Sequence, residues 1–118
     1  MNGYTITLPI PNRVLSPNAR SHWRVVAKAK AALRLHAKCV ATVADPPQWK
    51  RARVVVEWFT KTKRRPDEDN ARSSLKAAFD GLQDAGILHN DRGLEHGPMV
   101  FAVDKANPRV VLTVTELK

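Results

Sequence analysis

The chain has 118 residues, a length that fits one domain able to bury a real core. Its 43% hydrophobic and 26% charged content excludes a disordered chain, no apolar run approaches the roughly 20 residues that span a bilayer, and a single cysteine excludes an intramolecular disulfide and a Cys-rich zinc site. Lys and Arg number 20 against 11 Asp and Glu, and the net charge of +9 points to a polyanionic partner: DNA, RNA or an anionic membrane.

The segment Met1 to Ile10 lacks the basic-then-apolar layout of a secretion signal, so a cytoplasmic protein is expected. Tyr4 to Leu8 alternates and predicts a strand, ended by Pro9 and Pro11. A polar loop through Ser16-Pro17-Asn18 leads to a long helix over Ser21 to Val43, with Ser21 as its N-cap. At 100° per residue Val26, Ala29, Leu33, Ala37 and Val40 share one face and predict the core side, while Arg24, Lys28, Arg34 and Lys38 form a basic stripe opposite. Such a stripe is ordinarily a solvated face; here it is also a candidate track for phosphates. Cys39, among Ala, Val and Lys on this helix, reads as a small buried hydrophobe. The stretch Asp45-Pro46-Pro47-Gln48 is too short to separate domains.

Arg53 to Thr60, rich in Val, Trp and Phe, predicts the strongest strand. A second helix is predicted over Asp69 to Ala85, with Ala71, Leu75, Ala78, Phe79 and Leu82 inward, Asp69 or Asn70 capping its start and Gly86 its end. Met99 to Val103 and Arg109 to Thr115 predict two further strands, joined by a turn over Asp104 to Pro108 long enough for a hairpin. The order β-α-β-α-β-β predicts an α/β (α+β) domain, residues 1–118, with a small mixed sheet of about four strands and two helices packed on it.

The segment Lys63-Arg64-Arg65-Pro66-Asp67-Glu68-Asp69-Asn70 joins the main strand to the second helix. In extended backbone Asp67 and Asp69 point the same way, and two carboxylates held together repel each other unless a cation lies between them. Magnesium takes hard oxygen ligands, often one or two carboxylates with waters and phosphates, so Asp-x-Asp makes half of a magnesium site. The plain alternative is that these acids cap a helix and interact with its dipole. Asp91 is a third carboxylate, but a helix of roughly 25 Å stands between it and Asp67, and it returns only if the next segment runs back alongside the sheet. None of His22, His36, His89 and His96 shows metal-ligand spacing, and His89 near the acids reads as a loop surface residue. Trp23, Trp49 and Trp58 read as packing residues, with Trp23 set apart by its neighbours Arg20, His22 and Arg24.

In order, Arg64-Arg65-Pro66-Asp67-Glu68-Asp69-Asn70, Leu75-Lys76-Ala77-Ala78-Phe79-Asp80-Gly81-Leu82, Asp84-Ala85-Gly86 and Asn90-Asp91 resemble the RusA family of Holliday junction resolvases, as do Leu8-Pro9 and Ser16-Pro17-Asn18 near the start. The resemblance spans nearly the whole chain. It implies Mg²⁺ held by Asp67, Asp69 and Asp91, a functional lysine at Lys76, and a homodimer that nicks two strands across a four-way junction. It implies no small-molecule cofactor and no membrane partner. Two departures stand out: Lys76 follows Asp69 by seven residues where the family has four, so that Arg72 is an alternative to it, and the final pair is Asn90-Asp91 instead of Asp-Asp. On this reading Lys76 or Arg72 neutralises phosphoryl charge, and Arg64, Arg65, Arg72, Arg24, Lys28, Arg34 and Lys38 hold flanking phosphates without reading sequence. The rival readings are a non-catalytic, structure-selective DNA-binding module and an RNA-binding or ribonuclease domain; no aromatic RNA-binding signature is present.

Overall fold

The computed structural model describes residues 3–17, 19–45, 48–88 and 91–117, with Asp91 described by its backbone alone. In chain order the elements are β1 (Gly3–Leu8), α1 (Trp23–Val43), β2 (Ala52–Thr60), α2 (Glu68–Ser74), α3 (Lys76–Asp84), β3 (Leu94–Val103) and β4 (Arg109–Glu116), with short 3₁₀ turns at Arg13–Leu15 and Asp91–Gly93. The four strands form one mixed sheet in the order β1-β4-β2-β3. β4 runs antiparallel to both β1 and β2, and β2 runs parallel to β3. The expected α+β class and four-stranded mixed sheet are what the structure has, with three helices in place of two.

The predicted hairpin between the last two strands is not formed. β3 and β4 are not neighbours; β2 lies between them, so the Asp104–Pro108 connection crosses the end of β2. The crossing is held by the Asp104 N–H donating to the Thr60 carbonyl at 2.8 Å and by Arg109, which pairs with the Asp104 carboxylate at 2.7 Å and covers the Phe59 ring at 4.0 Å. β3 is also longer than predicted, starting at Leu94. Gly97-Pro98 hides its first half from a periodicity reading, because a bulge there shifts the register between Val54↔His96 and Val56↔Met99. Proline, lacking an N–H, is tolerated in a strand at such a bulge on a sheet edge.

Alternation places Ile6, Leu8, Val54, Val56, Val110, Leu112 and Val114 on one face of the sheet, buried in a single cluster with Leu33, Ala37, Leu75, Leu82 and Ile87. Each such side chain contributes about 1.5–3 kcal/mol by leaving water. α1 packs on α3 at Gly81, where a Cβ would fall 2.3 Å from the Arg34 carbonyl oxygen and 2.9 Å from the Ala37 Cβ. Arg34 reinforces the contact by donating Nε and Nη2 to the Asp84 carboxylate at 2.6 and 2.9 Å. This pair holds the Asp84 carboxyl below its ordinary pKa, chiefly through the hydrogen bond.

Three further local expectations are corrected. α1 starts at Trp23, and its N-cap is His22, whose Nδ1 accepts from the Arg24 N–H at 3.1 Å, not Ser21. The second predicted helix is divided at Leu75, whose N–H is shared between the Ala71 and Arg72 carbonyls; the Phe79 N–H still bonds the Leu75 carbonyl, so α2 and α3 continue one another as a rod. Gly86 ends that rod as expected, with φ +81°. Cys39 is exposed, not buried. It lies two residues, or 200°, from both Ala37 and Ala41, the residues α1 buries, and so shares an outward stripe with exposed Leu35 and Val43. No helix among the described residues is long and apolar enough to cross a membrane.

The close approach at Gly81 yields a prediction. Gly81→Ala is expected to lower unfolding free energy by about 1–3 kcal/mol, because the added methyl meets backbone. Denaturant unfolding measures this, and an unchanged midpoint would show that the α1–α3 contact is looser than described.

Candidate metal and nucleic-acid site

The loop after β2 returns over the sheet edge before α2 begins. Its Arg64 N–H bonds the Thr62 hydroxyl at 3.3 Å, and the Arg65 guanidinium lies 4.4 Å from the centre of the Phe101 ring on β3. Asp67 follows as the N-cap of α2, with extended backbone (φ −61°, ψ 148°), and Glu68 and Asp69 occupy the first helical turn. Because the helix starts at Glu68, Asp69 is already helical, and the alternation that would aim it with Asp67 does not apply. Asp67, although it stands at the cap position, makes no side-chain cap hydrogen bond. Among the described residues no hydrogen bond or ion pair engages the Asp67 or Asp69 carboxylate, although Arg72 pairs with Glu68 nearby at 3.0 Å. Both acids are exposed.

Asp69, Arg72, Ser73 and Lys76 follow one another at helical spacing i, i+3, i+4, i+7, and so share a face of the rod. With Phe79 and His96 they line a hollow of about 410 Å³ between the rod and β3. Lys76 therefore stays on the face of Asp69 despite the extra residues between them, nearly two turns along. Its ammonium is 3.5 Å from Asp80, a loose pair on a side chain 80% exposed. Arg72 is closer to Asp69 along the rod and is held by Glu68.

Sequence reasoning passed over His96. No ligand spacing in the chain marks it; the bulge that turns it toward the rod does, and Gly97-Pro98 is the one sequence sign of that bulge. The His96 ring meets Phe79 edge-on at 4.7 Å. Desolvation there first, and the positive charge of Arg72 second, hold its pKa below the ordinary histidine value.

The Asp91 side chain, the third expected carboxylate, lies outside the described residues. The chain after α3 is tied to the start of β2 by the Trp49 N–H bonding the Ile87 carbonyl at 2.8 Å, and Gly93 lies against the Lys50 carbonyl. The backbone of Asp91 opens the 3₁₀ turn that leads into β3, beside the start of β2. β3 then runs back alongside the sheet and carries His96 to the hollow that Asp69 lines. Among the described residues no group of three or more His, Cys, Asp and Glu is placed to hold a metal. His89 and Asn90 lie outside the described residues.

Of the expected phosphate contacts, Arg64, Arg65, Arg24, Lys28 and Lys38 are exposed, and Arg72 is half-buried. Arg34 belongs to the α1–α3 contact through Asp84 and is withdrawn from the stripe. Trp49 and Trp58 are buried as expected, at 4% and 5% exposure, but Trp23 is not, at 68%.

The fold and the hollow define a small α+β protein with a mixed sheet and a crossover rod that carries acids at its head and cations along one side. No protein-family model matches the chain. It is 32% identical over 116 residues to a protein of Xylella fastidiosa strain Temecula1 whose description reads "Uncharacterized protein", covering 94% of this chain and 75% of that one, and it belongs to that protein's family. Among solved structures it is similar to the periplasmic domain of Helicobacter pylori MotB, with a TM-score of 0.46 and 18% identity over 99% of this chain and 81% of that one, a likeness too loose to carry an argument.

The His96 environment is open to test. In an NMR titration the His96 ring is expected to protonate at lower pH than free histidine, and Arg72→Gln is expected to move that midpoint upward. An unmoved midpoint would mean that Arg72 does not face the ring.

Proposed function

We propose that this chain is a magnesium-dependent endodeoxyribonuclease that cuts branched DNA, in the manner of the RusA-like Holliday junction resolvases its motifs resemble. The observation that supports this reading is the state of Asp67 and Asp69: exposed, placed where helix caps belong, and engaged in neither a cap bond nor an ion pair among the described residues. Carboxylates that only capped the helix would accept hydrogen bonds from its first N–H groups.

The donor chemistry fits magnesium, since uncommitted carboxylate oxygens are the ligands this ion takes alongside water and phosphate. Asp67 and Asp69 would hold it. When bound, the ion supplies an acidified water as nucleophile and positive charge beside the phosphate. The chain's own residues do the rest. Arg64 and Arg65, on the loop before the acids, attract and orient the DNA backbone. Arg72 and Lys76 on the wall of the hollow balance charge on the phosphoryl oxygens, and Lys76 reaches a phosphate by leaving its loose pair with Asp80. Arg24, Lys28 and Lys38 on α1 extend the phosphate contacts, which makes binding fall steeply with salt. Asp91 enters by the resemblance alone. A homodimer and a cytoplasmic setting belong to the same proposal.

The exposed cations Arg24, Lys28 and Lys38 on α1 serve a second reading as well, a structure-selective DNA-binding module that does not cut. A labelled four-way junction with Mg²⁺, beside linear duplex of the same sequence, separates the two. Paired nicks in the junction are expected, lost in EDTA and slowed by on the order of 100-fold in Asp69→Asn. Junction binding without nicking, unchanged by Asp69→Asn, would establish the non-catalytic reading instead.

A further inference from the structure

Trp23 is the one tryptophan of the three whose ring faces solvent, with 68% of its surface exposed while Trp49 and Trp58 are buried. It opens α1, and its surroundings are ordered. The His22 ring stacks against it, 5.7 Å between centres and 27° between planes, and the Arg24 guanidinium stands 5.3 Å from its centre. His22 is fixed in turn by accepting the Arg24 N–H on its Nδ1 at 3.1 Å. The three flat groups form a short ladder at the helix start, and the tryptophan ring keeps most of its surface open. Exposed Arg20 precedes it by three residues.

Seven Lys and Arg precede Asp45 and no Asp or Glu does, so the field around Trp23 is positive throughout. A helix that lies on a membrane surrounds such a ring with other apolar side chains on the same face. Here the residues one turn on are Val26, which packs against the core, and Ala27, which with Lys30 a further turn along lines the cleft beside α3. Exposed Val25 falls 200° away and Leu35 120° away. A lone aromatic ring among cations is the arrangement that takes a base on its π face and the adjoining phosphates on its neighbours.

We propose that Trp23 is a stacking platform for an unpaired base of single-stranded DNA, with Arg20 and Arg24 holding the adjoining strand. This deepens the branched-DNA reading by naming the part of a branched substrate that is gripped. It is tested by binding alone, in EDTA, so that failure to cut DNA leaves it standing and failure here leaves the cutting experiment untouched.

The probes are a fluorescein-labelled 12-nucleotide oligo(dT), a forked duplex with unpaired arms, and a blunt duplex. Because Trp49 and Trp58 are buried, a change in tryptophan emission on adding unlabelled oligo(dT) reports on Trp23. Emission is expected to be quenched. Trp23→Ala is expected to weaken oligo(dT) and forked DNA by about 5- to 150-fold, with blunt duplex affected less than about 2-fold, and Trp23→Phe to restore most of the loss. Thermal unfolding of both variants is expected to match wild type, because the ring packs little of the core. Binding of oligo(dT) without quenching, equal affinities for wild type and Trp23→Ala, or an emission change with phosphatidylserine vesicles but not with DNA would each overturn the proposal.

Discussion

The parallel pairing of β2 with β3 is the constraint on which the rest of this structure depends. Two parallel neighbours require a connection that carries the chain back from the end of one to the start of the next, and here that connection is the α2–α3 rod. The rod must begin where β2 ends and finish where β3 begins. That fixes Asp67 and Asp69 at its head and Arg72 and Lys76 along its side. The same pairing leaves β4 to insert between β1 and β2 and makes β3 an edge strand, free to accept the Gly97-Pro98 bulge that turns His96 toward the hollow.

Charge is laid over this frame in sectors. The first 44 residues carry only cations among their charged groups, and α1 displays most of them. The acids gather on the rod and its approaches, where several are already committed: Asp84 to Arg34, Glu68 to Arg72, Asp80 to Lys76, Glu95 to Arg51. Exposed pairs of this kind contribute little to stability. Their consequence is that they set Asp67 and Asp69 apart. In a chain with so large a cationic excess, two neighbouring carboxylates without a partner among the described residues are more unusual than any ion pair it makes.

Much of this was legible before the structure. The β2 strand, the split of α1 into core and basic faces, the Gly86 stop and the Asp67-to-Asp69 segment between strand and helix all follow from local propensity and periodicity. What escaped followed from tertiary choices. Nothing local says that β4 pairs with β1 and β2 instead of forming a hairpin with β3. A bulge erased the alternation that would have revealed the start of β3, and with it the aim of His96. Cys39 looked buried because its neighbours are small and apolar, yet helical phase turns it outward. Trp23 was set apart by its basic neighbours, but only the fold shows how much of it faces solvent.

The central claim is that the uncommitted carboxylates at the head of α2 hold a divalent cation. The most direct test uses Mn²⁺ as a paramagnetic substitute for Mg²⁺ and follows amide resonances of the isotope-labelled protein. The account predicts line broadening centred on Asp67, Asp69 and Asn70, weaker toward Lys76, and abolished in Asp67→Asn/Asp69→Asn. Broadening centred on another part of the chain and unchanged in that variant, or no localised broadening at all, would contradict it.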